Sequence, residues 1–144
     1  MAMAAAQGAT PSATVLVPHL SSSVRWARGR LADDLDQRGV HRGVIDDAVL
    51  VLSEVLSNAL KHARPLASGQ IRVAWQLADG FLELEVTDGG GPTLPQPSTP
   101  TLSALGGRGL SIVASLAAQW GVRQAPGEST VWAVLGTDQP EPIR

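Results

Sequence analysis

Residues 43–63 read as one long amphipathic helix, and its polar flank carries Glu54, Asn58 and His62 at intervals of four. At about 100° per residue, positions i, i+4 and i+8 drift slowly round one side of a helix. Ile45, Ala48, Val49, Leu52, Val55, Leu56, Ala59 and Leu60 make the apolar stripe beside that row. A purely structural helix would more often carry Lys, Arg and Glu there. Asn is a mediocre helix former, because its side chain competes for backbone hydrogen bonds. Its place between a Glu and a His, against the apolar stripe, asks for a reason.

The rest of the chain sets what this helix packs on. Thr14–Val17 is a short β-branched run stopped by Pro18, as on an edge strand. Ser21, Ser22 and Ser23 offer N-caps for a helix to about Gln37, with Val24, Trp26, Ala27, Leu31 and Leu35 apolar and Gly39 as its stop. Pro65 ends the long helix. Ile71, Val73, Trp75 and Leu77 alternate, Asp79-Gly80 is a hairpin turn, and the run from Phe81 to Thr87 alternates again with Glu83 and Glu85 outward. A Gly/Pro/Ser/Thr-rich loop spans Asp88 to Gly109. A third helix is expected from Leu110 to Trp120, then strands at Gly121–Gln124 and Thr130–Leu135 around a turn containing Gly127. The order β-α-α-β-β-loop-α-β-β, dominated by hairpins, predicts a two-layer α/β sandwich. Its sheet should be mixed or mainly antiparallel, with the helices on one face.

At 144 residues the chain fits one domain, expected at 14–136 between a loose tail at 1–13 and a polar tail at 137–144. With one Phe and no Tyr, the core must come from Ala, Val, Leu and Ile with four Trp. The net charge of −2 leaves no electrostatic footprint for nucleic acid. The absence of cysteine excludes disulfides and thiolate metal sites and agrees with a cytoplasmic home. No apolar run approaches the roughly 20 residues that span a bilayer, so no membrane partner is expected.

Two further motifs bear on chemistry. Asp88-Gly89-Gly90-Gly91-Pro92 closes a strand. A carboxylate there can accept a hydrogen bond from an exocyclic amine such as that of adenine, and glycines let a flat ring approach the backbone. Asp-Gly is also an ordinary turn former. Gly106-Gly107-Arg108-Gly109-Leu110 runs straight into a helix, where free N–H groups can bind phosphate, although a plain hinge would look the same. On the long helix, His62 near the C-terminus is favourable electrostatically whatever else it does. Asn58 offers the hard oxygen that Mg²⁺ prefers, and Glu54 can take a proton from an attacking hydroxyl.

In this order and spacing the three motifs resemble the GHKL ATPases (gyrase, Hsp90, histidine kinases and MutL), with a Bergerat-type fold. The resemblance is nearest to the small serine-kinase anti-sigma factors of actinobacterial type. It rests on Glu54-x3-Asn58-Ala59-x2-His62-Ala63, on Asp88-x-Gly90, on Gly107-Arg108-Gly109-Leu110-x-Ile112-Val113 and on Ser129-Thr130-Val131-Trp132, and it covers about Thr14 to Leu135.

The resemblance implies ATP and Mg²⁺ as ligands. It makes Asn58 the metal ligand, Glu54 the general base, and Asp88, with a water held by Thr130, the receptor of the adenine amine. Gly90 would lie beside the base, while Gly107, Arg108, Gly109 and Leu110 would line the phosphates. His62 and Lys61 would sit on the phosphate side. The implied activity is ATP-dependent phosphorylation of a serine or threonine on a small antagonist protein, with a sigma factor as the second partner. Exposed apolar residues near Trp26 could serve a homodimer. The alternatives are a non-catalytic ATP- or ADP-binding module and an orphan domain that phosphorylates a partner's histidine. The chain departs from the pattern at Pro92, where a second glycine is usual, and in the short stretch between Pro92 and Leu105. No phosphoacceptor-histidine helix precedes the motifs, which argues against a complete sensor kinase.

Overall fold

The computed structural model describes residues 12–91 and 110–138. The alternation read from the sequence becomes five strands: β1 (Ser12–Pro18), β2 (Gln70–Ala78), β3 (Phe81–Asp88), β4 (Gln119–Ala125) and β5 (Glu128–Gly136). They form one sheet in the order β1-β2-β3-β5-β4, with every neighbouring pair antiparallel. β1 is an edge strand, as Pro18 requires, and it starts at Ser12, inside the stretch expected to be a tail. The β2–β3 hairpin turns on Asp79 and Gly80, at φ 54° and 81°. Two consecutive left-handed residues make the type I′ turn that matches strand twist.

Three helices lie on one face: α1 (Ser22–Gln37), α2 (Arg42–His62) and α3 (Leu110–Leu116). The sheet side chains beneath them are Ile71, Val73, Trp75, Leu82, Leu84, Val86, Ala133 and Leu135, all buried. α2 is the central helix, touching α1, α3, β3 and β5. That position explains why its buried arc is wider than the expected stripe and takes in Val44 and Val51 as well. Gly39, at φ 79°, ends α1 in a paired turn in which Gly39 donates to the Asp36 carbonyl and Val40 donates to the Leu35 carbonyl. At the N-terminus of α1 the caps differ from expectation. Ser21 stands at the cap position without a side-chain bond, while Ser23 turns inward and donates to the Pro18 carbonyl at 2.7 Å.

Two expectations are corrected. Trp26 is not a core residue. It is 49% exposed, with the Arg30 guanidinium 5.6 Å from its ring, because the buried stripe of α1 follows Ser23, Ala27, Leu31 and Leu35. α3 stops at Leu116, and Trp120 lies on β4 opposite Ala133. The Ala118 amide already donates to Val134, so the sheet ladder claims these residues before the helix can. The neighbouring segments 1–11 and 139–144, including most of both expected tails, lie outside the described residues.

Trp75 shows how the layers are locked. Its indole is 2% exposed and donates Nε1–H to the Asp34 carboxylate of α1 at 2.8 Å. Burial alone would raise the Asp34 carboxyl, but hydrogen bonds from Arg38 and Trp75 outweigh it and hold the group below its ordinary value. Asp34 therefore stabilises the fold above the ordinary carboxylate range and loses that contribution as pH falls through its depressed value. Asp34→Ala leaves a buried indole N–H unpaired, a cost of about 1–3 kcal/mol. Urea denaturation should show that loss at pH 7 and a smaller one at pH 3, and equal stability of the two proteins at pH 7 would contradict it.

Candidate functional site

The polar row of α2 survives folding. Glu54 and Asn58 are half-buried and His62 is exposed, and all three lie on the flank beside Val55, Leu56 and Ala59. The helix ends where Pro65 holds Arg64 out of the helical region. The structural centre of the site lies just past this helix end. Gly89 donates its N–H to the Arg64 carbonyl at 2.7 Å, and Arg64 donates its own to the Gly90 carbonyl at 2.9 Å. Arg64 Nη2 adds a bond to the Gly91 carbonyl at 3.0 Å. The segment leaving α2 is thus sewn to the segment leaving β3, so the helix row and Asp88 belong to one rigid corner. The approach requires glycine at 89: a Cβ there would collide with the Pro65 carbonyl, which is backbone and cannot rotate away.

Asp88 is the last residue of β3 and is buried. Its Oδ1 accepts from the Gly90 N–H at 2.7 Å, and Gly90 makes this turn at φ 91°, a region open to glycine. Burial pushes the Asp88 carboxyl above its ordinary value, against the downward pull of the Gly90 bond and of His19. His19, in the turn after β1, also places Nε2 3.2 Å from the Ala63 carbonyl at the end of α2. A buried carboxylate with one oxygen engaged retains acceptor capacity for a ligand's N–H.

Sheet register decides which residues accompany Asp88. Side chains alternate faces along a strand. Asp88 shares the helix-side face with Val86 and Leu84, and it sits directly opposite Ser129 of β5, which sits opposite Gln124 of β4. Gln124 Nε2 donates to Ser129 Oγ at 3.2 Å, so Asp88, Ser129 and Gln124 form one polar row at this end of the sheet. Thr130, expected to assist Asp88, is placed on the other face. It pairs with Thr87, and the two hydroxyls are buried 2.8 Å apart. Ion pairs Arg72–Glu128 and Arg123–Glu85 flank that pair on the helix-free side. The correction was available in the pattern: Val131, Ala133 and Leu135 face the core, so Ser129 continues their series and Thr130 does not. His19, Arg64 and Gly89 carried no comparable signal, because their partners are distant in sequence.

The structure therefore brings together Glu54, Asn58 and His62 on one helix flank and couples them through residues 63–65 to Asp88 and Gly90. Leu110 is buried at the first position of α3, next to α2. Gly107, Arg108, Gly109 and Pro92 lie outside the described residues. Among the described residues no three His, Asp or Glu side chains gather as a metal site, and no helix is long and apolar enough to cross a membrane.

The family model of the histidine kinase-like ATPase domain matches residues 17–135. The chain belongs to this family, and membership implies that it binds ATP. No curated protein sequence matches it. Among solved structures it is similar to the RsbU and RsbW domains of Rv1364c from Mycobacterium tuberculosis, at 23% identity and a TM-score of 0.71. That match covers 91% of this chain and 34% of the other, so the present chain spans about a third of its relative's length. It is also similar to the histidine kinase AdeS of Acinetobacter baumannii, at 14% identity and a TM-score of 0.47, over 88% and 68% of the two chains. The first likeness shows the GHKL-like fold.

Gly89→Ala tests the corner. Overpacking against backbone costs about 1–3 kcal/mol. The variant should melt at a lower temperature and bind ATP more weakly than wild type under conditions where both are folded. Unchanged melting and unchanged affinity by calorimetry would show that the corner is not needed.

Proposed function

We propose that the chain is an ATP-dependent serine/threonine kinase of anti-sigma type, which phosphorylates a small antagonist protein and binds a sigma factor. The observation that carries the ATP site is the buried Asp88 at a strand end, bonded to Gly90 and joined by backbone hydrogen bonds to the end of the Glu54–Asn58 helix. Asp88 accepts the adenine amine. Ser129 stands opposite Asp88 with its hydroxyl hydrogen available for the base or a bridging water, the role the sequence suggested for Thr130. The left-handed turn at Gly90 keeps the backbone bare where the ring would lie.

Asn58 would hold Mg²⁺ through its side-chain oxygen. Among the described residues no carboxylate cluster could hold the ion unaided. Mg²⁺ keeps few protein ligands and takes phosphate oxygens and water. When bound, Mg²⁺ neutralises charge on the phosphates. Glu54, one turn before Asn58, takes the proton of the substrate hydroxyl as its oxygen bonds to the γ-phosphorus. The bond from that phosphorus to the bridging oxygen breaks, and ADP leaves. Such transfer depends mainly on position and charge, so few groups suffice. Gly107, Arg108 and Gly109 would complete the phosphate side. The anti-sigma assignment rests on the motif resemblance, with the fold of the RsbW-containing relative in agreement.

The direct test mixes the protein with Mg²⁺, γ-labelled ATP and candidate antagonist proteins. Acid-stable phosphate on serine or threonine is expected. Acid-labile phosphate would point to a histidine acceptor, and stoichiometric ATP binding without transfer would leave a binding module. Glu54→Ala should lower transfer by about a hundredfold or more while sparing ATP affinity. Asn58→Ala should remove the Mg²⁺-dependent part of binding. Retained transfer in the first, or unchanged affinity in the second, would remove those roles.

Asp88 adds a pH signature. Because burial raises its carboxyl, ATP affinity should fall as pH drops and the carboxyl takes up its proton, since the neutral acid accepts the amine hydrogen bond more weakly than the carboxylate. The folded state holds this proton more tightly than the unfolded chain. Asp88 therefore lowers stability as pH rises through the window between its two values. Asp88→Asn should abolish ATP binding without loss of thermal stability at pH 7. A variant that still bound ATP with the wild-type pH profile would exclude Asp88.

A further inference from the structure

The chain's one phenylalanine is not in the core. Phe81 opens β3 on the helix-free face and is 49% exposed. Its partners across the strands are Ala78 and Gly136, so neither neighbour has a side chain large enough to cover the ring. One row along, Glu83 stands between Gln76 and Val134. Ala78, Phe81, Gln76, Glu83 and Val134, with Ala118 and Gln119, line an open, mainly apolar cleft of about 450 Å³. A second cleft of about 510 Å³ on the other side of the hairpin shares Ala78 and Phe81 and reaches Asp79 and Asp138. The volume suits one or two apolar side chains.

Single exposed apolar residues are common and need no explanation. Here the ring is set in a groove with Glu83, Asp79 and Asp138 about it, while Arg38, which also lines the second cleft, is paired to Asp34. Glu85 and Glu128 on this face are paired to Arg123 and Arg72. Glu83, Asp79 and Asp138 have no ion-pair partner among the described residues. The carboxyl of Asp138 lies against Gly80, at the same end as Phe81. An apolar socket with unpaired carboxylates at its rim complements an apolar side chain next to a Lys or Arg.

We propose that the groove around Phe81 docks a basic segment of a partner protein, an aliphatic or aromatic side chain filling the cleft and a neighbouring Lys or Arg meeting Glu83. The groove lies at the hairpin end of the sheet, whereas Asp88 closes the opposite end of β3, so this partner and a nucleotide bind without sharing residues. This surface does not depend on the kinase reading.

The probe is a random peptide library displayed on phage and selected against the full chain, followed by fluorescence anisotropy of the enriched peptides. The expected peptides carry an apolar residue beside Lys or Arg. Phe81→Ser should weaken them about tenfold or more. Glu83→Lys should weaken them too, and should recover binding to peptides in which the cation is replaced by Glu. Both variants change exposed or half-exposed positions, and matched melting curves and ATP affinities will show that the fold and the far end of the sheet are intact. Three results would overturn the proposal: no enriched peptide whose binding depends on Phe81, enriched peptides that are acidic, or a Phe81-dependent dimer in sedimentation, which would make a second copy the occupant.

Discussion

Two backbone hydrogen bonds between Arg64 and the Gly89–Gly90 segment hold the two halves of the site in one frame. On one side is the long central helix with Glu54 and Asn58. On the other is the strand end with Asp88. Neither half could define a ligand position alone, because a helix end and a strand end are free to fray. Gly89 permits the crossing by having no Cβ, Pro65 stops the helix in time for it, and Arg64 adds a side-chain bond to Gly91. His19 reaches the same corner from the turn after β1. The site is therefore preorganised by main-chain contacts that most side-chain changes would leave alone.

The sheet does the rest by parity. Successive residues face opposite sides, so Asp88, Ser129 and Gln124 meet on the helix side while Thr87 and Thr130 meet behind them. The hydroxyl pair behind the site is buried with ion pairs on either flank, which steadies the end of β3 without entering the ligand face. At the far end of the same strand, Phe81 lies outward between Ala78 and Gly136. One strand thus carries a polar, buried end and an apolar, exposed end, and the two can serve different partners.

Much of this was legible in the sequence because it is periodic. The helix-period stripe of α2, the alternation of β2, β3 and β5, and the Asp79-Gly80 turn all have local physical causes, and they define the sandwich. The Glu54, Asn58 and Asp88 positions were legible because their residue types are unusual for their places. The failures have causes too. Helical periodicity could not see that the ladder to Val134 would end α3 at Leu116. The apolar count on α1 could not show that Trp26 lies off the buried stripe. Thr130 and Ser129 are one residue apart, and in a strand that puts them on opposite faces, with Ser129 on the side of Asp88. The crossing at Gly89 joins residues whose proximity is a property of the fold alone.

The central claim is that nucleotide is held at the corner where α2 and β3 meet. Amide NMR spectra recorded during titration with ATP and Mg²⁺ test it most directly. The account predicts saturable shifts for Asn58, Ala63, Arg64 and the residues from Asp88 to Gly91, with Asp79 to Glu83 unmoved, and no such response to GTP, whose ring carries a carbonyl where adenine has its amine. Saturable shifts centred on the Asp79–Glu83 hairpin, or an equal response to GTP at the corner, would contradict it.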